Sequence, residues 1–238
     1  MVVEMFNLPY FIYIAAAILL TWISVKFLNT KSDKFRYWFI YGLIILNLFI
    51  HFAKALIYPY TLVPFPEIFT KVSPENICAV SALFFPILFF AKNKTLRDYM
   101  VMVGVASGII TFFYPIDAMS EMFNATVIGV KPAFSLEVIR FYTSHFLIFL
   151  SPFLMLHYRI HELSFKRSYK APFMLLTILV IIFINEALIT LFGWVPKEQF
   201  FDPEFRNPSF IFGVRDDLSG LGMVLGALVP DFFRSNPF

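Results

Sequence analysis

The stretch LPYFIYIAAAILLTWISVKFL, residues 8–28, decides the fold. It carries a single charge, Lys26, close to its end. A helix needs about 20 predominantly apolar residues to cross the hydrocarbon core of a bilayer, and this run supplies them. No basic segment precedes it and no small-residue cleavage site follows, so a retained transmembrane helix is expected and not a signal peptide. Five more apolar segments of comparable character lie at 36–58, 74–91, 96–116, 136–158 and 171–194. The expected fold class is therefore all-α, a polytopic membrane protein with six transmembrane helices over residues 1–194.

Composition agrees. With 59% hydrophobic, 20% aromatic and 15% charged residues and a mean hydropathy of +0.76, the chain lies outside the range of water-soluble domains. The formal charge of +3 is too small and too asymmetrically placed for nucleic-acid binding. Neither a repeat of solenoid period nor a low-complexity linker is present. Residues 195–238 form a tail with Pro196, Pro203 and Pro208, many charges, and one apolar run, LGMVLGALV, too short to span.

Orientation follows from the basic residues between spans. Lys26, Lys31, Lys34 and Arg36, then Lys92, Lys94 and Arg97, then Arg159, Lys166, Arg167 and Lys170 occupy alternate connections, eleven of the nineteen Lys and Arg. Those connections are expected inside, which puts both termini, the 60–73 and 117–135 loops and the tail outside. The match NAT at Asn124 reads as a glycosylation acceptor only in a secretory-pathway protein.

Cys78 is the only cysteine, which excludes an intrachain disulfide and a cysteine-rich metal site. It follows Ser73-Pro74-Glu75, a capping residue, a proline suited to the first helical position and an acid in the first turn. The sequence thus predicts a helix start there, with Cys78 about one turn inside. The partial positive charge at such a helix start favours the thiolate, and a neighbouring base would complete a nucleophile. His157 and His161 fall in the basic inner connection, where a solvated or headgroup role is expected. His51 shares a helical face with Asn47 and Lys54 toward the outer side. His145, in RFYTSHFLIF, lies at a depth comparable to Cys78. Contact between the two requires spans 3 and 5 to be neighbours.

Plainer readings stand beside these. A lone intramembrane cysteine is most often a small packing residue. An ionisable side chain inside a span, by contrast, is paired or functional by default because desolvation is costly. For His145 the plain alternative is a hydrogen bond to a backbone carbonyl or to Ser144. For Glu186 it is an ion pair, with Arg140 the favoured partner and Lys54 the other. Pro86 and Pro152 are expected to kink their helices.

The stretches ENICAVSALFFPILFFAKNKTLRDYMVMVGVASGIITFFYPID and VIRFYTSHFLIFLSPFLML resemble the transmembrane protein 164 family and its bacterial YwaF-like relatives. The shared pattern is a helix opening with Cys, a short Lys-Asn-Lys loop, an aromatic after Asp, a helix ending in Pro and Asp, and Ser-His inside the fifth span. It covers roughly residues 40 to 190. The resemblance implies a phospholipid acyltransferase that moves a fatty acyl chain onto a lysophospholipid through a cysteine nucleophile and a histidine. Cys78 and His145 match those positions. It also implies a distant relation to androgen-induced membrane hydrolases, which use threonine and histidine on a similar bundle.

On that reading Asn76, Ser144, Glu186 and Arg140 are oxyanion or supporting residues, with backbone N–H groups from Glu75 to Cys78 as further oxyanion donors. His51, Asn47, Asp117 and Asn185 line the substrate cavity. Membrane phospholipid, lysophospholipid and the bilayer are the expected partners, with no cofactor, no metal and no nucleic acid, in a multi-pass protein of a bacterial cell membrane. The sequence fixes no oligomeric state. Two other readings remain open: a lipid or ester hydrolase with the same dyad, and a non-enzymatic transporter whose pathway is lined by His51, Asn47, Lys54, Asn185 and Glu186.

Overall fold

The computed structural model describes residues 1–4, 6–113 and 132–200, apart from the side chain of Gln199. Among these residues the regular structure is helical, without a strand. The helices are α1 (Leu8–Asn29), α2 (Asp33–Ala53), α3 (Ile77–Leu88), α4 (Lys94–Phe113), α5 (Leu136–His157) and α6 (Ala171–Leu191), with a single turn at Phe165–Ser168 before α6. Their starts follow from local chemistry. Asn7 accepts the Tyr10 N–H at 3.1 Å to cap α1, and Ser32 accepts the Phe35 N–H at 3.3 Å to cap α2. Gly193, at φ 71°, ends α6 with the Trp194 N–H returning to Ile189 O at 2.9 Å, a left-handed residue closing the last turn.

Five helical stretches are long and apolar enough to cross a membrane: Leu8–Asn29, Asp33–Leu56, Lys94–Phe113, Leu136–His157 and Phe165–Leu191. The segment expected as span 3 departs from this. Its helix has 12 residues, about 18 Å at 1.5 Å per residue, against a hydrocarbon core of about 30 Å. The chain from 54 to 76, which precedes α3, carries three 3-10 turns, Lys54–Leu56, Tyr60–Leu62 and Glu67–Lys71. We call this segment the roof. The helix start also shifts: Asn76, not Ser73, caps α3, taking the Ala79 N–H on its side chain at 2.8 Å.

Helix α5 is the centre of the bundle. Of its apolar window 72% is buried inside the protein, against 6% for α1. It packs most extensively on α4 and next on α2, while α3 sits among α2, α4, α5 and α6. The α4–α5 seam rests on two glycines one turn apart in GVASG. A Cβ on Gly104 would lie 2.6 Å from Pro152 Cγ and 2.9 Å from Ile148 O, and one on Gly108 would run into Phe149 Cβ. Small residues at this spacing are what lets two membrane helices approach backbone to backbone. Side chains such as Ile18, Leu19, Trp22, Phe173, Leu176 and Leu188 are exposed, an apolar girdle suited to lipid.

The connections sort to two ends. At one, Met1 O accepts the Ala133 N–H, Tyr10 donates to Phe113 O, and Phe69 of the roof lies against Trp194. At the other, Tyr158 donates to Val25 O at 2.9 Å and Asn29 Oδ1 at 3.0 Å, and the Arg36 guanidinium covers the Tyr158 ring. This second end carries the basic connections. Here His161 is not solvated as expected: it is buried and bonded to Asp98 at 2.7 Å, with Arg167 on the same carboxylate at 2.5 and 2.9 Å.

Candidate functional site

Polar side chains meet where the roof covers α2, α3 and α5. Cys78 is the second residue of α3, partly buried and packed against the apolar core. His145 lies nine residues into α5, about 14 Å along the helix from Leu136, and is buried. Its Nδ1 is 2.8 Å from Phe141 O. A carbonyl oxygen only accepts, so Nδ1 carries the proton, and in the neutral ring Nε2 carries the lone pair. The plain alternative, a backbone hydrogen bond, is thus present and leaves the second nitrogen as a potential base.

Neighbours fix these two elements. Ser144 donates to Asn47 Oδ1 of α2 at 2.8 Å, both buried, which joins a supporting residue to a cavity residue and sets the rotation of α5 beside His145. His51 Nε2 donates to Val72 O of the roof at 2.9 Å. Asn185 Nδ2 donates to Ser73 Oγ at 3.0 Å, tying α6 to the roof. Lys54 pairs with Glu75 at 2.8 Å, three residues before Cys78, and its ammonium lies 4.8 Å from the centre of the Tyr60 ring.

Arg140 pairs on its own helix. Its guanidinium is taken by Glu137, one turn earlier on α5, through bonds of 2.6 and 2.5 Å. The reason is proximity: an i, i+3 partner on the same helix needs no interhelical register. Tyr60 donates to the same Glu137 carboxylate at 2.9 Å. Burial, and after it the charge of Glu137, hold the Tyr60 pKa well above the usual phenol value. Glu186 is buried at 1% exposure, and its main-chain oxygen accepts from Thr190. Asp117 and Asn124 lie outside the described residues.

The oxyanion donors expected at the start of α3 are partly committed. The Glu75 N–H donates to Ser73 O at 2.7 Å, and the Asn76 side-chain oxygen serves as the cap. Sequence reasoning omits Tyr60, Glu137 and Asp98 from the polar set. Glu137–Arg140 was legible as a helical pair; nothing local marks Tyr60 or Asp98. Among the described residues no three His, Cys, Asp or Glu side chains converge as a metal site.

Long apolar helices around a buried polar centre define a multi-pass membrane protein. A model of the TMEM164 family matches residues 3–195, and the chain belongs to that family. The match takes in all six helices and ends just past α6. No curated protein and no solved structure matches the chain.

Proposed function

We propose that this protein is an integral-membrane phospholipid acyltransferase that works through Cys78 and His145. The observation that carries the reading is the pairing of depths. From the rise per residue we infer that a 12-residue α3 starts about 12 Å short of a full bilayer crossing, which would put Cys78 near the depth of His145, about 14 Å into α5. Helix α3 packs on α5, and the roof is bonded to α5 through Tyr60 and to α2 through Val72. Membership of the family agrees with it, since the resemblance assigns the nucleophile and base to these positions.

The chemistry balances as follows. Cys78 Sγ attacks the ester carbonyl of a phospholipid while its proton passes to His145 Nε2. The C–O bond to the glycerol oxygen breaks, the lysophospholipid leaves with that proton, and a thioester remains. A second lysophospholipid then presents its hydroxyl, His145 removes the proton, the new ester forms, and the thiol is restored. Ser144–Asn47 and Arg140–Glu137 keep α5 in register, Asn76 fixes the start of α3, and His51, Asn185 and Glu186 belong to the walls. Six membrane passages with both ends outside, in a bacterial cell membrane, complete the proposal. Water in place of the second lysophospholipid would make the same site a hydrolase.

The test supplies purified protein with mixed phospholipids and an isotope-labelled lysophospholipid. Labelled diacyl product that appears with wild type and is lost in Cys78→Ser and His145→Ala supports transfer. Free fatty acid in its place supports the hydrolase. Equal products from wild type and Cys78→Ser refute both.

A further inference from the structure

A contiguous apolar surface on the outside of a protein marks a contact with a partner or a membrane, and the roof carries one. Leu56, Leu62 and Phe65 are 81%, 70% and 79% exposed. Of the four charged residues in 54–76, Lys54 and Glu75 bind each other, Lys71 is half-buried and Glu67 alone is exposed. Both margins of this surface run into helix faces of the same character. Phe49, Phe52 and Leu56, all exposed, stand three and four residues apart on the helical stretch Asp33–Leu56, which puts them on one face. At the other margin the rings form a chain, centre to centre: Phe65 to Phe69 at 5.4 Å, Phe69 to Trp194 at 5.4 Å, and Trp194 to Phe192 at 5.7 Å. Phe192 is exposed and directly follows α6, whose Leu188 and Leu191 are exposed as well. The roof backbone also suits a place poor in water, where an unpaired N–H is costly. Pro59, Pro64 and Pro66 have no N–H to satisfy, and Ile57, Leu62, Val63, Ile68 and Phe69 donate theirs to carbonyls within the segment.

We propose that the roof is an interfacial membrane element and not a lid over water: Leu56, Leu62 and Phe65 lie among the phospholipids of the leaflet at that end of the bundle, about 5–10 Å into the boundary between headgroups and acyl chains. The occupant of the surface is lipid. Continuity favours lipid over a second copy of the chain or residues 201–238, because the flanking faces of α2 and α6 belong to the lipid-facing girdle. Sparse charge agrees, since the paired Lys54 and Glu75 present no net charge to the apolar phase. The placement holds whether or not Cys78 carries an acyl group.

The test uses the full chain in phosphatidylcholine vesicles. In a Cys78→Ser background, nitroxide labels are attached through Leu56→Cys, Leu62→Cys and Phe65→Cys. Ile18→Cys on the girdle serves as the lipid reference and the exposed Lys34→Cys at the opposite end as the water reference. Collisions of each label with oxygen, which partitions into lipid, are compared with collisions with a water-soluble nickel chelate. The oxygen-to-nickel ratio of the roof labels is expected to match that of Ile18→Cys and to exceed that of Lys34→Cys several-fold. A ratio like that of Lys34→Cys overturns the proposal. Labels shielded from both collision partners, as residues 201–238 or a second copy seated on the roof would leave them, overturn it as well. Should the labelled variants fold poorly, the unsubstituted protein gives a second reading. A phosphatidylcholine with a diazirine in its acyl chain near the glycerol is expected, on irradiation, to label peptides from residues 54–69 as well as from α1; labelling of α1 alone overturns the proposal.

Discussion

Gly108 of α4 lies against the main chain of His145: a Cβ there would come 3.1 Å from His145 O and would run into Phe149 Cβ. The position of the proposed base is thereby tied to a hydrogen atom on a neighbouring helix. Gly108→Ala must push α4 and α5 apart, and overpacking of this kind costs about 1–3 kcal/mol. Gly104→Ala, which meets Pro152 Cγ at 2.6 Å, is expected to cost a similar amount. Gly42 of α2 has nothing within 4 Å, so Gly42→Ala is expected to be neutral or to stabilise by up to about 1 kcal/mol through helix propensity. Thermal unfolding of the three variants in detergent, followed by circular dichroism, checks the order.

The end of α5 makes a second prediction. Arg159 has φ 53°, a left-handed conformation that costs a non-glycine residue about 1–2 kcal/mol, and the Ile160 N–H returns to Met155 O at 2.9 Å. This reversal delivers His161 to Asp98. Arg159→Gly is expected to raise stability by about 1 kcal/mol, relief of that strain exceeding the added freedom of the unfolded chain. His161→Ala leaves a buried carboxylate one donor short and is expected to lower stability by about 1–3 kcal/mol. The two melting temperatures should move in opposite directions.

Tyr60 sets an alkaline limit on the roof. Its pKa in the folded chain is raised by burial and by Glu137, above the value of about 10 it has when unfolded. Below about pH 10 both states hold the proton and its contribution is complete. Above that pH the unfolded state ionises first, so stability falls as pH rises. Amide exchange in residues 54–76 is therefore expected to accelerate above about pH 10 in wild type. In Tyr60→Phe exchange should be faster at neutral pH, for want of the bond to Glu137, and should show a smaller alkaline rise.

Much of the bundle was legible because a membrane helix announces itself by length and hydropathy. The 8–28 run became α1, and 136–158 became α5 with an error of one residue. The third segment was legible in kind and not in extent. Ser73-Pro74-Glu75 carries the chemistry of a helix start, but Asn76 is also a capping residue, and local signals give no rank between them. Tertiary bonds decided: Ser73 is held by Asn185, and Glu75 by Lys54. Of the site, His145 and Asn47 could be placed because polar groups stand out in an apolar helix. The Asp98–His161 bond could not, since 63 residues separate its partners and only the folded connection brings them together. The packing role of GVASG was not drawn from the sequence; it came from the close approach of Gly104 and Gly108 to α5.

The measurement that bears most directly on acyl transfer through Cys78 is the mass of the intact protein after brief incubation with phospholipid and no added acceptor. The account predicts a mass increase equal to one fatty acyl chain, located on Cys78 by fragmentation. It should discharge when lysophospholipid is added, be absent in Cys78→Ser, and form far more slowly in His145→Ala, with the double variant no worse than either single one. No adduct across a broad panel of phospholipids, or an adduct on another residue that persists in Cys78→Ser, would contradict it.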